Sequence, residues 1–222
     1  YYGLVTYIDR KLGELLAVLD EQGLAGNTLV IFASDHGDML GEKGMVQKRC
    51  FYEWSARVPL VIRTPDRSRR GQRVTTPVSL VDLLPTMAAA AGIELQAQLG
   101  YEGSDLLRLA PADEQRVVFC QYHTQGVLAP CFMACNGRYK YVRVHGHDDQ
   151  LFDLAADPQE WTNLAGQGQV AGTEAALREA VLRRFDAEAI GKRAEAGVAR
   201  RTLVREAMRA NGVRVETVRR QV

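Results

Sequence analysis

Ser34-Asp35-His36-Gly37-Asp38 is a run of five polar or glycine residues that brings a carboxylate and an imidazole side by side. The hard oxygen of Asp35 and the ring nitrogen of His36 suit either shared metal ligation or acid–base work, provided the chain turns so that both face one point. The competing reading is structural: Asp35 caps the turn that follows, and His36 is a hydrogen-bonded surface residue. Two adjacent ligands do not complete a metal site. Gly37 and Gly41 favour the chemical reading, because backbone without a Cβ can approach closely. Lys48 lies 12 residues beyond His36, in Gly44-Met45-Val46-Gln47-Lys48-Arg49. Beside a cation such a lysine holds an anionic oxygen by charge and hydrogen bonding; otherwise it is a solvated loop lysine. Glu53 and Arg57 read as a pair that braces a loop.

These groups need a strand end to stand on. Thr28-Leu29-Val30-Ile31-Phe32-Ala33 is a continuous apolar run of strand length that stops at Ser34. Such a run suits a strand covered on both faces, as in a parallel α/β sheet, where chemistry collects just past the carboxyl ends. Upstream, Leu4, Val5, Ile8, Leu12, Leu15, Leu16 and Leu19 recur at steps of three and four. That is one apolar face of a helix over residues 1–23, with Gly23 as its stop. Val58 to Arg63 reads as a second strand, followed by a basic turn from Asp66 to Arg73. Ser79-Leu80-Val81-Asp82 has capping-box spacing with Asp in the last place. It opens a helix to Gly92 whose interior Pro85 is expected to distort.

From Arg116 the pattern changes. Strands are expected at 117–122, 130–134, 138–144 and 151–154, the middle two joined as a hairpin by Cys135-Asn136-Gly137. Amphipathic helices are expected at 173–190 and 193–210. This later block suits a small antiparallel sheet with helices against it, so a boundary falls near 100–115.

Twenty-eight basic and 27 acidic residues give a formal net charge of +1, which excludes a generally basic nucleic-acid binder and an acidic disordered chain. The balance is uneven: residues 178–222 hold 12 Lys/Arg and 6 Asp/Glu, leaving 16 and 21 for the rest. Those arginines alternate with Glu and Ala in helical register, as on a solvated face or a subunit contact, and no nucleic-acid partner is expected. No apolar run approaches the roughly 18 residues of a membrane span, so no membrane partner is expected either. Cys50, Cys120, Cys131 and Cys135 match no common zinc or redox spacing. They read as buried free thiols of a reducing compartment, which favours the cytoplasm. A serine elbow, a phosphate loop and a dinucleotide fingerprint are missing from the sequence. The chain begins at Tyr1 inside a helical pattern and reads as a piece of something longer.

Ser34-Asp35-His36-Gly37-Asp38-Met39-Leu40-Gly41-Glu42, Lys48 and Phe51-Tyr52-Glu53-Trp54-Ser55-Ala56-Arg57-Val58-Pro59-Leu60 together resemble the second half of a sulfatase of the alkaline phosphatase superfamily. Within it they look most like choline-sulfatases. The opening Tyr2 to Asp9 agrees, as does Leu151 to Leu164, which is similar to the DLxxDPxExxNL element near sulfatase C-termini. The resemblance covers residues 1–165. It implies an α/β fold: part of an alkaline-phosphatase-like sheet sandwiched by helices over 1–110, then a small α+β subdomain with an antiparallel sheet over 111–222. It implies that Asp35 and His36 complete a divalent metal site with acidic residues of an N-terminal half. Lys48 then contacts the sulfate oxygens and the leaving group. Many sulfatases carry Asn where this chain has His36, whereas the Asp-His form is shared with choline-sulfatases and phosphonate monoester hydrolases. An imidazole ligand weakens the case for calcium and opens the site to manganese or another transition ion.

The implied reaction is hydrolysis of a small-molecule sulfate ester by a formylglycine nucleophile, made from a cysteine in a Cys-x-Pro-Ser-Arg context. None of the four cysteines has that context, and Cys50 is followed by Phe51-Tyr52-Glu53. The formylglycine belongs to an N-terminal part, and this chain alone is not expected to turn over sulfate esters. Cys120 to Gly126 lies where choline-sulfatases hold a quaternary ammonium. Tyr122 offers a cation–π contact there, but Gln121 stands where a carboxylate is expected. Arg200 to Val222 loosely resembles an arginine-rich tail that reaches a neighbouring subunit, so a homo-oligomer is expected. Two rival readings stand beside this one: a phosphonate monoester or phosphodiester hydrolase of the same superfamily, and a non-catalytic remnant acting as an assembly or binding module. A parallel sheet without its N-terminal strands exposes apolar edges. The 222-residue product should therefore self-associate, and a well-behaved monomer in sedimentation velocity contradicts this.

Overall fold

A computed structural model describes residues 1–96, 100–113, 115–123, 127 and 129–213. The chain divides into two compact units, Tyr1–Glu114 and Gln115–Val222. In the first, helix α1 (Tyr2–Glu21) ends where Gly23 takes a φ of +67° and Leu24 N–H reaches back to the Leu19 carbonyl at 2.9 Å. Strand β1 (Val30–Ala33) pairs with β4 (Leu60–Arg63). Their pairing is antiparallel, a correction to the parallel neighbour inferred from the apolar run. The reason is the connection: residues 34–59 carry no long crossover helix, so the chain re-enters the sheet from the end it left. That connection holds the two-stranded ribbon β2 (Met39–Leu40) and β3 (Val46–Gln47) and one helical turn, α2 (Glu53–Ala56).

Beyond β4, Ser79 and Asp82 form the expected capping box, but over a 3₁₀ turn that precedes α3 (Leu83–Ala90). Pro85 therefore falls in the first turn of α3, where a missing N–H breaks no helical bond, and the expected interior distortion does not arise. Buried Asp82 accepts from the N–H groups of Ser79 and Ser104, each at 2.8 Å. Gly103, at φ +99°, lies against the Val81–Asp82 backbone where a Cβ would collide. Segment 100–113 is fastened by such polar contacts rather than by regular structure.

The second unit is a four-stranded antiparallel sheet in the order β5 (Val118–Tyr122), β6 (Cys131–Cys135), β7 (Tyr139–Val144), β8 (Gln150–Asp153). Gly137, at φ +91°, closes the expected hairpin. Every residue of the central strand β6 is buried. Phe132, Ala134, Tyr141 and Leu151 pack on one face against Leu177 and Val181 of α4 (Ala171–Arg184). The helix break comes at Phe185–Asp186, not between residues 190 and 193. Phe185 leaves helical geometry and stacks on Phe132 at 4.8 Å between ring centroids. Asp186 then caps α5 (Ala187–Ala210) by accepting the Ala189 N–H at 2.9 Å. All four cysteines are free, but only Cys131 and Cys135 are buried. Cys50 is half-buried, and Cys120 is exposed because β5 is a sheet edge. Among the described residues no helix is long and apolar enough to cross a membrane.

The opposite face of the sheet buries an ion pair. Lys140 Nζ donates to Glu160 Oε1 at 2.9 Å, with the two side chains 1% and 0% exposed. Glu160 is held there at φ +57° inside the DLxxDPxExxNL element, whose other polar residues fasten backbone. Asp153 takes both Nε and Nη2 of Arg138 (3.2 and 2.8 Å). Asp157 accepts the Thr162 N–H at 2.7 Å, and Asn163 accepts the Leu151 N–H at 2.9 Å. The element is a structural clasp. Removing one partner of a buried pair breaks its charge balance, so Glu160→Leu should cost about 3–5 kcal/mol in urea unfolding. Combining it with Lys140→Met should restore most of that loss.

Two further groups set the pH response. The Arg138 hydrogen bonds hold the Asp153 carboxyl below its ordinary range, so its contribution is present above that range and lost as pH falls through the folded value. Burial, and then the 2.6 Å bond to Asp149, push the Tyr141 phenol well above its ordinary range. Its contribution is present below the ordinary phenol value and lost as pH rises beyond it. On their account the urea midpoint should fall below about pH 4 and above about pH 10. Asp153→Asn should flatten the acid limb and Tyr141→Phe the alkaline one.

Candidate active site

β1 ends at Ala33 and the chain turns at once. Ser34 Oγ donates to the His36 carbonyl at 2.8 Å, and the His36 N–H donates to Asp35 Oδ1 at 3.0 Å. Asp35 is therefore the turn cap of the structural reading, but with one oxygen only. Its other oxygen, Oδ2, lies 3.5 Å from His36 Nε2. The Asp35 side chain is 84% exposed and that of His36 33%.

The partners of His36 fix its tautomer. Nδ1 faces the Gly37 carbonyl at 2.8 Å, a group that only accepts. Nε2 faces Lys48 Nζ at 2.6 Å, and an ammonium only donates. The proton sits on Nδ1, and Nε2 accepts from Lys48 while lying beside the second oxygen of Asp35, so it takes a cation only when Lys48 turns away. Lys48 is aimed there by unusual backbone: Gln47 at φ +69° and Arg49 at φ +101° flank it. Such geometry in non-glycine residues costs on the order of 1–3 kcal/mol each and gathers at functional sites.

The turn is braced from α2. Gly37 N–H donates to the Ser55 carbonyl at 2.9 Å, and a Cβ on Gly37 would collide with the Trp54 carbonyl oxygen. Met39, Phe51 and Ser55 are buried. On the exposed rim of α2, Arg57 Nη1 reaches Glu53 Oε2 at 3.4 Å, the bracing pair read from the sequence. Trp54 and Ser55 were not anticipated, because they act through backbone carbonyls that any residue carries; Gly37 was the only visible signal.

The donor set fits a divalent cation in part. A carboxylate oxygen and a neutral imidazole nitrogen 3.5 Å apart match two ligands of one ion at about 2.1 Å each. Mixed oxygen and nitrogen donors suit manganese or a similar transition ion better than calcium. Among the described residues no group of three or more His, Cys, Asp or Glu side chains gathers. Gln121 and Tyr122 lie in the second unit, on β5, opposite Phe132 and Cys131. As strand neighbours they project to opposite faces of the sheet. Gln121 Oε1 accepts from His123 Nε2 at 2.9 Å, and burial holds the His123 imidazole below its ordinary range. Residues 124–126 and 214–222, which belong to the ammonium-contact stretch and the basic tail, lie outside the described residues.

The sulfatase family model matches residues 1–93. Over 214 residues the chain is 39% identical to the choline-sulfatase of Rhizobium meliloti (strain 1021), across 94% of this chain and 41% of that protein. Residues 1–93 form a sulfatase-family domain. It is also 36% identical to arylsulfatase K of Xenopus laevis over 181 residues, 75% of this chain and 33% of that one. A solved structure of a phosphonate monoester hydrolase from Silicibacter pomeroyi superposes with a TM-score of 0.69 at 27% identity, covering 83% of this chain and 40% of that one. The fold is the alkaline-phosphatase-like one of sulfatases. This chain spans between a third and about two fifths of the length of the proteins named here.

Proposed function

We propose that this chain supplies the cation-holding and sulfate-holding part of a metal-dependent sulfuric ester hydrolase. The observation that carries the reading is the meeting of Asp35 Oδ2, His36 Nε2 and Lys48 Nζ at the end of β1, in a stretch that matches the sulfatase family. Asp35 and His36 are the ligands this chain brings. A divalent ion bound there would draw negative charge from the ester's non-bridging oxygens as the sulfur–oxygen bond breaks. Lys48, exposed beyond its strained backbone, turns from His36 Nε2 to donate hydrogen bonds to a sulfate oxygen and to the departing alcohol oxygen. The attacking group is none of the four cysteines, whose sequence contexts do not fit a formylglycine, and this chain's residues carry no nucleophilic step. Identity to a choline-sulfatase supports choline sulfate as one substrate to test.

A phosphonate monoester hydrolase is the second reading, favoured by the superposition with such an enzyme. The protein that carries this sequence should be assayed with an aryl sulfate and the matching aryl phosphonate monoester, with manganese or calcium present. Higher kcat/KM on the sulfate is expected. Lys48→Ala should lower kcat about 10²–10³-fold, as loss of a charge-stabilising donor does. Exclusive phosphonate turnover rejects the sulfatase activity.

A further inference from the structure

We propose that Gly37, clamped between Trp54 and Ser55, is a positioning residue that sets the tautomer and direction of His36 for cation binding. The inference rests on the reading of Asp35 and His36 as ligands. Its geometry is a relay of backbone groups. The Ser55 carbonyl accepts the Gly37 N–H at 2.9 Å, and the Gly37 carbonyl accepts the Nδ1–H of His36 at 2.8 Å. Ser55 is buried and the Trp54 carbonyl presses on the Gly37 Cα, so the peptide following Gly37 has little freedom to rotate. A carbonyl fixed in this way holds the Nδ1–H tautomer from one side, as Lys48 Nζ at Nε2 does from the other, and it keeps Nε2 as the ligating nitrogen once Lys48 turns to an anion. Partners that orient a ligating histidine through its second nitrogen commonly change metal affinity 10–100-fold when lost.

Glycine is required by contact here, not by φ: the residue must lie flush against a carbonyl oxygen. In Gly37→Ala the added methyl forces the 36–38 backbone away from α2. The Gly37 carbonyl then leaves the line of the His36 ring, and Nδ1 loses its fixed acceptor.

The test uses the ¹⁵N-labelled protein that carries this sequence at about pH 8.5, where an ordinary imidazole is neutral. Long-range ¹⁵N–¹H spectra, with the His36 signal assigned by its loss in His36→Gln, read the tautomer. Manganese titration followed by electron paramagnetic resonance reads affinity. Wild type should show the Nδ1–H form. Gly37→Ala should raise the manganese Kd 10–100-fold with an unchanged far-ultraviolet spectrum and, combined with Lys48→Met so that no ammonium holds Nε2, should show mixed tautomers. Ser34→Ala removes only the hydroxyl bond to the His36 carbonyl and keeps Gly37; it should weaken manganese a few-fold, and it supplies the graded comparison if Gly37→Ala does not fold. An Nε2–H tautomer in wild type overturns the proposal, as does wild-type affinity with wild-type tautomer in Gly37→Ala. Wild type that takes up no manganese overturns the ligand reading instead, and the tautomer spectra distinguish the two failures.

Discussion

Between Ala33 and Val58 the first unit has almost no regular structure, and its order hangs on backbone meeting backbone. The Gly37 peptide lies against the Trp54–Ser55 peptide, with an N–H given to one carbonyl and a Cα pressed by the next. From that contact the turn after β1 acquires a fixed direction. Asp35 can then split its duties between two oxygens, and His36 can present a single nitrogen. Lys48 reaches the same point from a strained loop, next to buried Met39, which pairs with Gln47 across the β2–β3 ribbon. Polar chemistry on an exposed loop is thereby made rigid by very few atoms.

The second unit solves a different problem, that of burying charge. A sheet whose central strand is covered on both faces could have been wholly apolar, yet β7 sends Lys140 inward. Its partner comes from a loop, so the pair ties an irregular segment to a regular one. Arg138–Asp153 and the Asn163 bridge repeat that logic at the margins. The motif that most clearly marks the family at its C-terminal end is explained by these bonds without any appeal to catalysis.

What could be read from residue order follows from how each signal arises. The β6–β7 hairpin was legible because Asn-Gly chemistry is local, and the capping box at Ser79 for the same reason. The helix break expected after residue 190 comes earlier, at Phe185 and Asp186, since one caps and the other finds an aromatic partner 53 residues earlier in the chain. Strand direction between β1 and β4 was hidden because an apolar run states burial, not the path of the connection. Asp35, His36 and Lys48 were recognisable through their motif, whereas spacing alone left each with an ordinary alternative. Gln121 and Tyr122 were read as neighbours in sequence, and a strand separates such neighbours by its pleat.

The join at Phe185 also gives the molecule a mechanical property. α5 is 24 residues long and buries none of them fully, while its first turn is seated by Ala187 and Ile190 on the same apolar cluster as Phe185. At 1.5 Å per residue it is a rod of about 36 Å held by one end. A tilt of roughly 10° at its base would sweep the far end through about 6 Å. Small changes in side-chain volume beneath the first turn are therefore magnified along the rod, and whatever meets its basic outer half registers the packing of a core it does not touch.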